Sequence, residues 1–386
     1  MPSDPAPPGA RHDSSPDRQQ RRSPRRVITL QVIPARGRAR NLRRRGRPDA
    51  GTHPRPASEV DSRADTARSL ALSGKAQRSE GVAYSSAGDV IAVATSDTNT
   101  VFLFRRKPDG QFDTAPYWGI KGAESPLDYP NDVSFALSGS GELMAVAQRG
   151  GAIAIYRRDN DKGAYGARPI FEIGDARTKQ EYSDGAAFVP PDNRHVAVCN
   201  LKTSSISFYR KIADAPVRFD LQPVFELRHR SLAQPDGLAF SQCGRWLAVA
   251  NHGNHTVSIF RRRARLLSWG RLRYGPRPVT VISDPSLRDP HSVAFSPETN
   301  HLVVTAAGAN YFRAYAPIGR GRNTRWSQRP VLQTIVDPDA AFRKVNLRSE
   351  TDGPKGIAIH RHRLAIRSAA YGVKIYSLRE TSDRSK

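Results

Sequence analysis

The chain has 386 residues, 38% of them hydrophobic, and 61 Lys and Arg stand against 36 Asp and Glu, a formal net charge of +25. That length suits one large or two ordinary domains, and no apolar run approaches a membrane span, so a soluble protein without a membrane partner is expected. Charge of this size attracts polyanions without specifying any of them. Arg outnumbers Lys 50 to 11, as GC-rich coding would also produce.

Residues 1–66 hold 15 Arg and no Lys against 7 acidic residues, which puts +8 of the charge there and leaves +17 on the remainder. Rich in Pro, Ser and Gly, this segment cannot bury enough apolar surface to offset its ordering entropy and is expected to be a disordered basic tail. One short apolar run, Val27 to Ile33, interrupts it. Arg25-Arg26 before that run resembles the start of a twin-arginine export signal. The run is short, however, and Ala35-Arg36-Gly37-Arg38 stands where a cleavage site belongs, so a cytoplasmic protein is expected. Cys199 and Cys243 fall at opposite ends of different repeats, too far apart for a disulfide, which also leans towards a reducing compartment.

From residue 67 the chain repeats. Pro235-Asp-Gly-Leu-Ala-Phe240, a turn at Ser241 to Gly244, Trp246-Leu-Ala-Val-Ala250, a loop at Asn251 to His255, and Thr256-Val-Ser-Ile-Phe260 are three short apolar runs with Gly and Asn punctuation. Runs this short and this rich in β-branched and aromatic residues form an antiparallel meander. Aligning on the residue that ends the first run gives Tyr84, Phe135, Phe188, Phe240, Phe295 and Ile359, at periods of 51, 53, 52, 55 and 64, a sixfold repeat. A fourth run, led by Pro116, Pro169, Pro223, Pro278 and Pro330, suits an edge strand, where a residue without an N–H does no harm. The expected fold is therefore all-β, a six-bladed propeller of four-stranded antiparallel blades over residues 67–380, with a short C-terminal tail at 381–386. The last copy lacks a fourth run after Tyr376, and an N-terminal strand at about Arg68 to Leu72 is expected to complete it. A seventh blade could come only from the Arg-rich tail, and ordered strands before Asp65 would break the count of six.

The innermost strand of each blade starts at the mouth of the central channel. The residue at that start is Glu80, Asn131, Asp184, Asp236, His291 or Lys355, followed by Gly81, Asp132, Gly185, Gly237, Ser292 or Gly356. The small residues are expected to permit the turn into the strand. The polar ring before them varies in chemistry, which points to ligand contact. Arg149, Asn200, Asn251, His252 and His255 face the same end through the loop between second and third strands. His252-x-x-His255 lacks the helix and Glu of a metalloprotease signature and reads as a solvated loop. The connection from Asp337 to Pro354, carrying Phe342, Arg343, Lys344, Arg348 and Glu350, is long enough to cover the channel. Carboxylates with an Asn at one mouth supply hard oxygen ligands of the kind Ca²⁺ takes.

At the other end, Arg105-Arg106-Lys107, Arg157-Arg158, Arg210-Lys211 and Arg261-Arg262-Arg263 recur at the end of the third strand and should form a basic belt, interrupted at Tyr315-Ala316-Pro317. Arg265, Arg271 and Arg273 extend it, with Trp269 and Tyr274 interleaved as single-stranded nucleic-acid binding would use them. Solvated turn residues explain the belt as well. There is no phosphate loop, paired-cysteine zinc pattern or nucleophile elbow.

The unit Pro-Asp236-Gly237-Leu-Ala-Phe-Ser, tight turn, Leu-Ala-Val-Ala-Asn251, then Thr256-Val-Ser-Ile-Phe resembles the repeats of lactonase-like propellers, the group with YVTN and NHL repeat proteins and, more distantly, WD40 proteins. The resemblance covers about residues 80–380. Six-bladed hydrolases of that group, similar to gluconolactonase and paraoxonase, hold a metal at this place, which would give Glu80, Asn131, Asp184 and Asp236 to Ca²⁺ and make His291 the base. Three readings follow: a monomeric platform, without resident cofactor, binding a protein or small molecule at the channel mouth; a Ca²⁺-dependent lactonase or esterase there; and a nucleic-acid binder on the opposite rim.

Overall fold

The computed structural model describes residues 28–34, 79–159, 163–174, 182–264, 271–337, 339, 342, 353–368 and 372–382. They form a six-bladed β-propeller. Blade one is Ser79–Tyr84, Val90–Thr95, Thr100–Arg105 and Trp118–Ile120, hydrogen-bonded antiparallel in chain order from the channel outward. The inner strands of blades two to six are Pro130–Ser138, Ser183–Phe188, Pro235–Phe240, Pro290–Phe295 and Ile357–His360. Each packs against the next, and the last returns to Ser79–Tyr84.

The second strands are buried along their length, Val90–Thr95 and Trp246–Asn251 at every residue and those of blades two, three and six at all but the first. Their neighbours cover both faces, so they read as continuous apolar runs instead of alternating ones. Side chains of facing sheets fill six separate cores, one in each cleft between adjacent blades. Outer strands start two residues after the expected prolines, as in Phe171–Ile173 and Thr280–Ile282. The residue between donates to the third strand: Ile170 N to Ile155 O at 2.7 Å, Val279 N to Ile259 O at 2.7 Å. Proline thus stands just outside the ladder.

The ring is closed from inside the segment expected to lack structure. Ile28–Pro34 pairs antiparallel with Gly372–Ser382, from Ile28 opposite Ser382 to Pro34 opposite Tyr376, and is the fourth strand of blade six. It belongs to the six-blade count and adds no seventh blade. The criterion that any strand before Asp65 would break that count was too coarse. The expected closing strand at 68–72, and the rest of the tail, lie outside the described residues. The last strand also reaches Ser382, two residues past the expected boundary. No helix among the described residues is long and apolar enough to cross a membrane.

The glycine column has a different cause from the expected turn. The turn is made earlier, at Tyr129, Tyr182, Gln234 and Asp289, all with φ between 47° and 59°. Gly81, Gly185, Gly237 and Gly356 sit instead where inner strands touch backbone to backbone. A Cβ on Gly185 would lie 2.4 Å from Asp236 O, one on Gly237 2.5 Å from His291 O, and one on Gly356 2.4 Å from Glu80 O. Gly185→Ala is expected to cost about 1–3 kcal/mol in denaturant unfolding, as overpacking does. Gly119→Ala, whose Cβ meets nothing nearer than 3.6 Å, should stay within about 0.5 kcal/mol of the parent.

Candidate functional site

In blades one to five the register between inner and second strands slips at the mouth, between Ser79 and Val82, Pro130 and Asp132, Ser183 and Ala186, Pro235 and Leu238, and Pro290 and Ser292. Each bulge holds the mouth residue. A bulge leaves its extra residue off the ladder and re-aims its side chain. Glu80, Asn131, Asp184, Asp236 and His291 are thereby gathered at one point and buried.

They are engaged with one another. Lys355 Nζ lies 2.6 Å from Glu80 Oε2. His291 Nε2 lies 3.4 Å from Glu80 Oε2 and 3.5 Å from Asp236 Oδ2. Arg149 grips Asp184 with two hydrogen bonds, from Nε to Oδ1 at 2.5 Å and from Nη2 to Oδ2 at 3.1 Å. Asn131 Nδ2 donates to Asp184 Oδ1 as well. Between Asn131, Asp184, Asp236, His291 and their neighbours remains a cavity of about 10 Å³.

The electrostatics follow from this arrangement. Burial opposes ionisation of Glu80, but Lys355 and the hydrogen bond with His291 outweigh it and hold the carboxyl well below its usual range. Burial pushes Asp184 up, with Arg149 and Asn131 acting against it. Asp236 is pushed far above the carboxylate range by burial and by the charge of Asp184. Burial brings His291 down to about 4, so its imidazole is neutral. Asp132, pushed up to about 7 by burial, accepts Val133 N at 2.9 Å and Ala186 N at 3.2 Å, tying blade two to blade three.

Not every predicted residue joins the ring. Asn200 donates to Ser205 Oγ and Ser207 Oγ at 3.0 and 2.8 Å, and Asn251 donates to Ser258 Oγ at 3.1 Å, so both clasp the third strand of their own blade. His252 is half-buried near His291, on a short 3-10 turn, His252–Asn254. His255 Nδ1 sits 3.2 Å from Asp289 Oδ1 and links blades four and five. Sequence reasoning missed Arg367, buried in blade six, which donates to Ser79 Oγ and Gly353 O, both at 2.9 Å. Nothing in its repeat position marked it, because no other blade has an Arg there. Of the long connection, residues 338, 340–341 and 343–352 lie outside the described residues.

The donor set does not form a calcium cage. Glu80 is taken by Lys355 and Asp184 by Arg149, so the oxygens a metal would need already face cations. Among the described residues no group of three His, Cys, Asp or Glu is placed to hold a metal ion.

On the lower face, opposite the mouth, the belt residues other than Lys107 and Arg263 lie in strands or bridges. Each begins a small antiparallel ribbon: Arg106 bridges Phe112, Ile153–Asp159 pairs Ala164–Tyr165, Ser205–Asp214 pairs Val217–Phe219, Arg262 bridges Tyr274, and Pro317–Ile318 pairs Arg325–Trp326. The returning aromatics, Phe112, Tyr165, Phe219, Tyr274 and Trp326, are buried in the clefts between blades. Four of them meet the aromatic that ends their own inner strand, at centroid distances of 5.8–5.9 Å: Phe112 on Tyr84, Tyr165 on Phe135, Tyr274 on Phe240 and Trp326 on Phe295. Tyr274 is thus a wedge and offers no stacking platform. Arg158 ties blades one and two through Asp89 and Glu142, at 2.7 and 3.2 Å. Arg261 lies over Trp246, Arg273 over Phe225, and Arg262 Nη1 donates to Pro190 O at 3.2 Å. Arg263 and Arg271 are exposed; Arg265 and Trp269 lie outside the described residues.

No family model matches the chain, and no curated protein matches it in sequence. Among solved structures it is similar to a putative 6-phosphogluconolactonase from Bacteroides uniformis, at 16% identity and TM-score 0.50 over 78% of this chain and 83% of that one. A functionally unknown protein from Desulfotomaculum acetoxidans is similar at 11% identity and TM-score 0.50, over 79% and 87%. The β-propeller domain of Cps50 (Swd1) from Myceliophteria thermophila is similar at 12% identity and TM-score 0.48, over 79% and 83%. At these identities the likeness concerns the propeller fold alone.

The strained carboxyl at Asp236 is testable. Its raised folded pKa means that the unfolded chain ionises first as pH climbs past the ordinary carboxylate value, so the parent loses stability from there upward. Asp236→Asn carries no such penalty. Its melting temperature should therefore exceed the parent's by a margin that grows with pH above about 4 and vanishes below it, as thermal scans across pH will show.

Proposed function

We propose that this chain is a rigid binding platform that works through its outer faces, with the polar channel mouth acting as an internal clasp. The observation that supports this most is the mutual engagement of Glu80, Lys355, His291, Asp184 and Arg149, with only about 10 Å³ of space left between Asn131, Asp184, Asp236 and His291. That volume holds about one water molecule, whereas pockets for small organic ligands are on the order of 300–1,000 Å³. A concave rigid ring with its central groups neutralised is suited to presenting surface, and a propeller supports many such uses.

The lactonase or esterase reading asks for a metal and a base at the same mouth. Here the carboxylates face Lys355 and Arg149, and the Nε2 of His291 faces two carboxyl oxygens. In solution, the purified chain should show no lactone or aryl-ester turnover above buffer, and equal melting temperatures in calcium and in chelator. A bound metal at a hundredfold excess over its Kd would stabilise the fold by about 2.7 kcal/mol. Turnover abolished by His291→Ala, or calcium stabilisation abolished by Asp184→Ala with Asp236→Ala, would put the hydrolase ahead of the platform.

A further inference from the structure

The basic belt was expected to break at Tyr315-Ala316-Pro317, yet the structure carries it across that gap. Pro317–Ile318 and Arg325–Trp326 form a hairpin whose tip, Gly319 to Thr324, holds Arg320 and Arg322. The hairpin is fixed. Trp326 is 2% exposed, packs on Trp246 at 5.3 Å, and donates through Nε1 to Asn300 O at 3.0 Å, while its backbone N donates to Thr280 Oγ1 at 3.1 Å. Arg325 closes the tip from within, donating to Thr324 O at 2.8 Å. Blade five thus leans its hairpin, through Trp326, against the outer strand of blade four.

Charge on these two blades is one-sided. From Pro235 to Arg329 the chain has 14 Arg and no Lys, against four acids, Asp236 at the mouth, Asp284, Asp289 and Glu298. Asp284 and Asp289 precede the inner strand of blade five on the mouth side, where they meet Arg313 and His255. Glu298 alone is left for the lower face. Arg263, Arg271, Arg277, Arg320 and Arg322 are exposed there, and among the described residues none forms an ion pair with a carboxylate. Among the described residues, the aromatics of this face that would anchor a protein interface or stack on single-stranded bases, Tyr274 and Trp326, are turned inward.

We infer that the lower face of blades four and five is a sequence-independent binding surface for the phosphate backbone of duplex nucleic acid. This rests on the platform reading and names its partner. Paired ribbons fix the backbone that carries these arginines before contact, which reduces the ordering cost of binding. A surface whose described residues offer charge without stacking favours the duplex, whose charge density exceeds that of a single strand.

The test uses the full chain and labelled mixed-sequence duplex DNA, titrated between about 50 and 200 mM salt. The variant carries Arg263→Gln, Arg271→Gln, Arg320→Gln and Arg322→Gln, with the tail intact and with unfolding measured alongside. Expected are duplex binding tighter than to the equivalent single strand, and in the variant a loss of affinity of about tenfold or more with a log–log salt slope smaller by about three to four, at unchanged melting temperature. Unchanged binding in the variant, single-strand binding as tight as duplex binding, or equal affinity for heparin, polyglutamate or anionic vesicles would overturn the inference. None of those outcomes touches the platform reading, which fails only through turnover or metal binding at the mouth.

Discussion

The inner strands of the six sheets meet around the axis, and at four of the six junctions they meet backbone against backbone. The contact leaves no room for a Cβ at Gly81, Gly185, Gly237 or Gly356. Everything around the channel follows from that closeness. In blades one to five the inner strand slips its register here, and the bulges turn Glu80, Asn131, Asp184, Asp236 and His291 into the same small space. Groups so crowded and so dry are tolerable only when paired or neutral. Lys355 and Arg149 pair two carboxyls, and burial keeps Asp236 and His291 uncharged.

The outer parts of the blades are held by apolar packing. Six cores lie in the six clefts, and under five of the clefts a ribbon folds back to insert an aromatic wedge. The wedge explains why the third strand ends in basic residues. A strand that turns back at the rim exposes one face of its ribbon to water, and Arg serves there, with its stem along apolar surface and its head outside. Arg261 over Trp246 and Arg273 over Phe225 show that arrangement. Architecture and charge thus share one cause, and the lower face became basic wherever a ribbon formed.

Much of this was legible in the chain. The period of about fifty residues, the Tyr84 to Ile359 column and the buried second strands specify blade number and strand order, because those features repeat. What does not repeat was harder to see. The closing strand Ile28–Pro34 was hidden by the arginine-rich composition on both sides of it, although its β-branched run was visible. Phe112, Tyr165, Phe219, Tyr274 and Trp326 stand at irregular distances from their third strands, so they did not line up as a column, and Tyr274 was assigned to base stacking. The mouth ring was located correctly by position. Its pairing was invisible, since Glu80 and Lys355 are 275 residues apart and a polar ring whose charges pair among themselves looks, in one dimension, like a ring awaiting a ligand.

The central claim is that the mouth is closed in the resting protein. Amide hydrogen exchange followed by mass spectrometry addresses it directly, on the segments that carry Asn131, Asp184 and Asp236, compared with the second strand Val90–Thr95. A clasped mouth exchanges only by global unfolding, so those segments should be protected as strongly as Val90–Thr95. Exchange at the mouth orders of magnitude faster than in that strand, at unchanged global stability, would show a channel that opens in the folded state and would contradict the account.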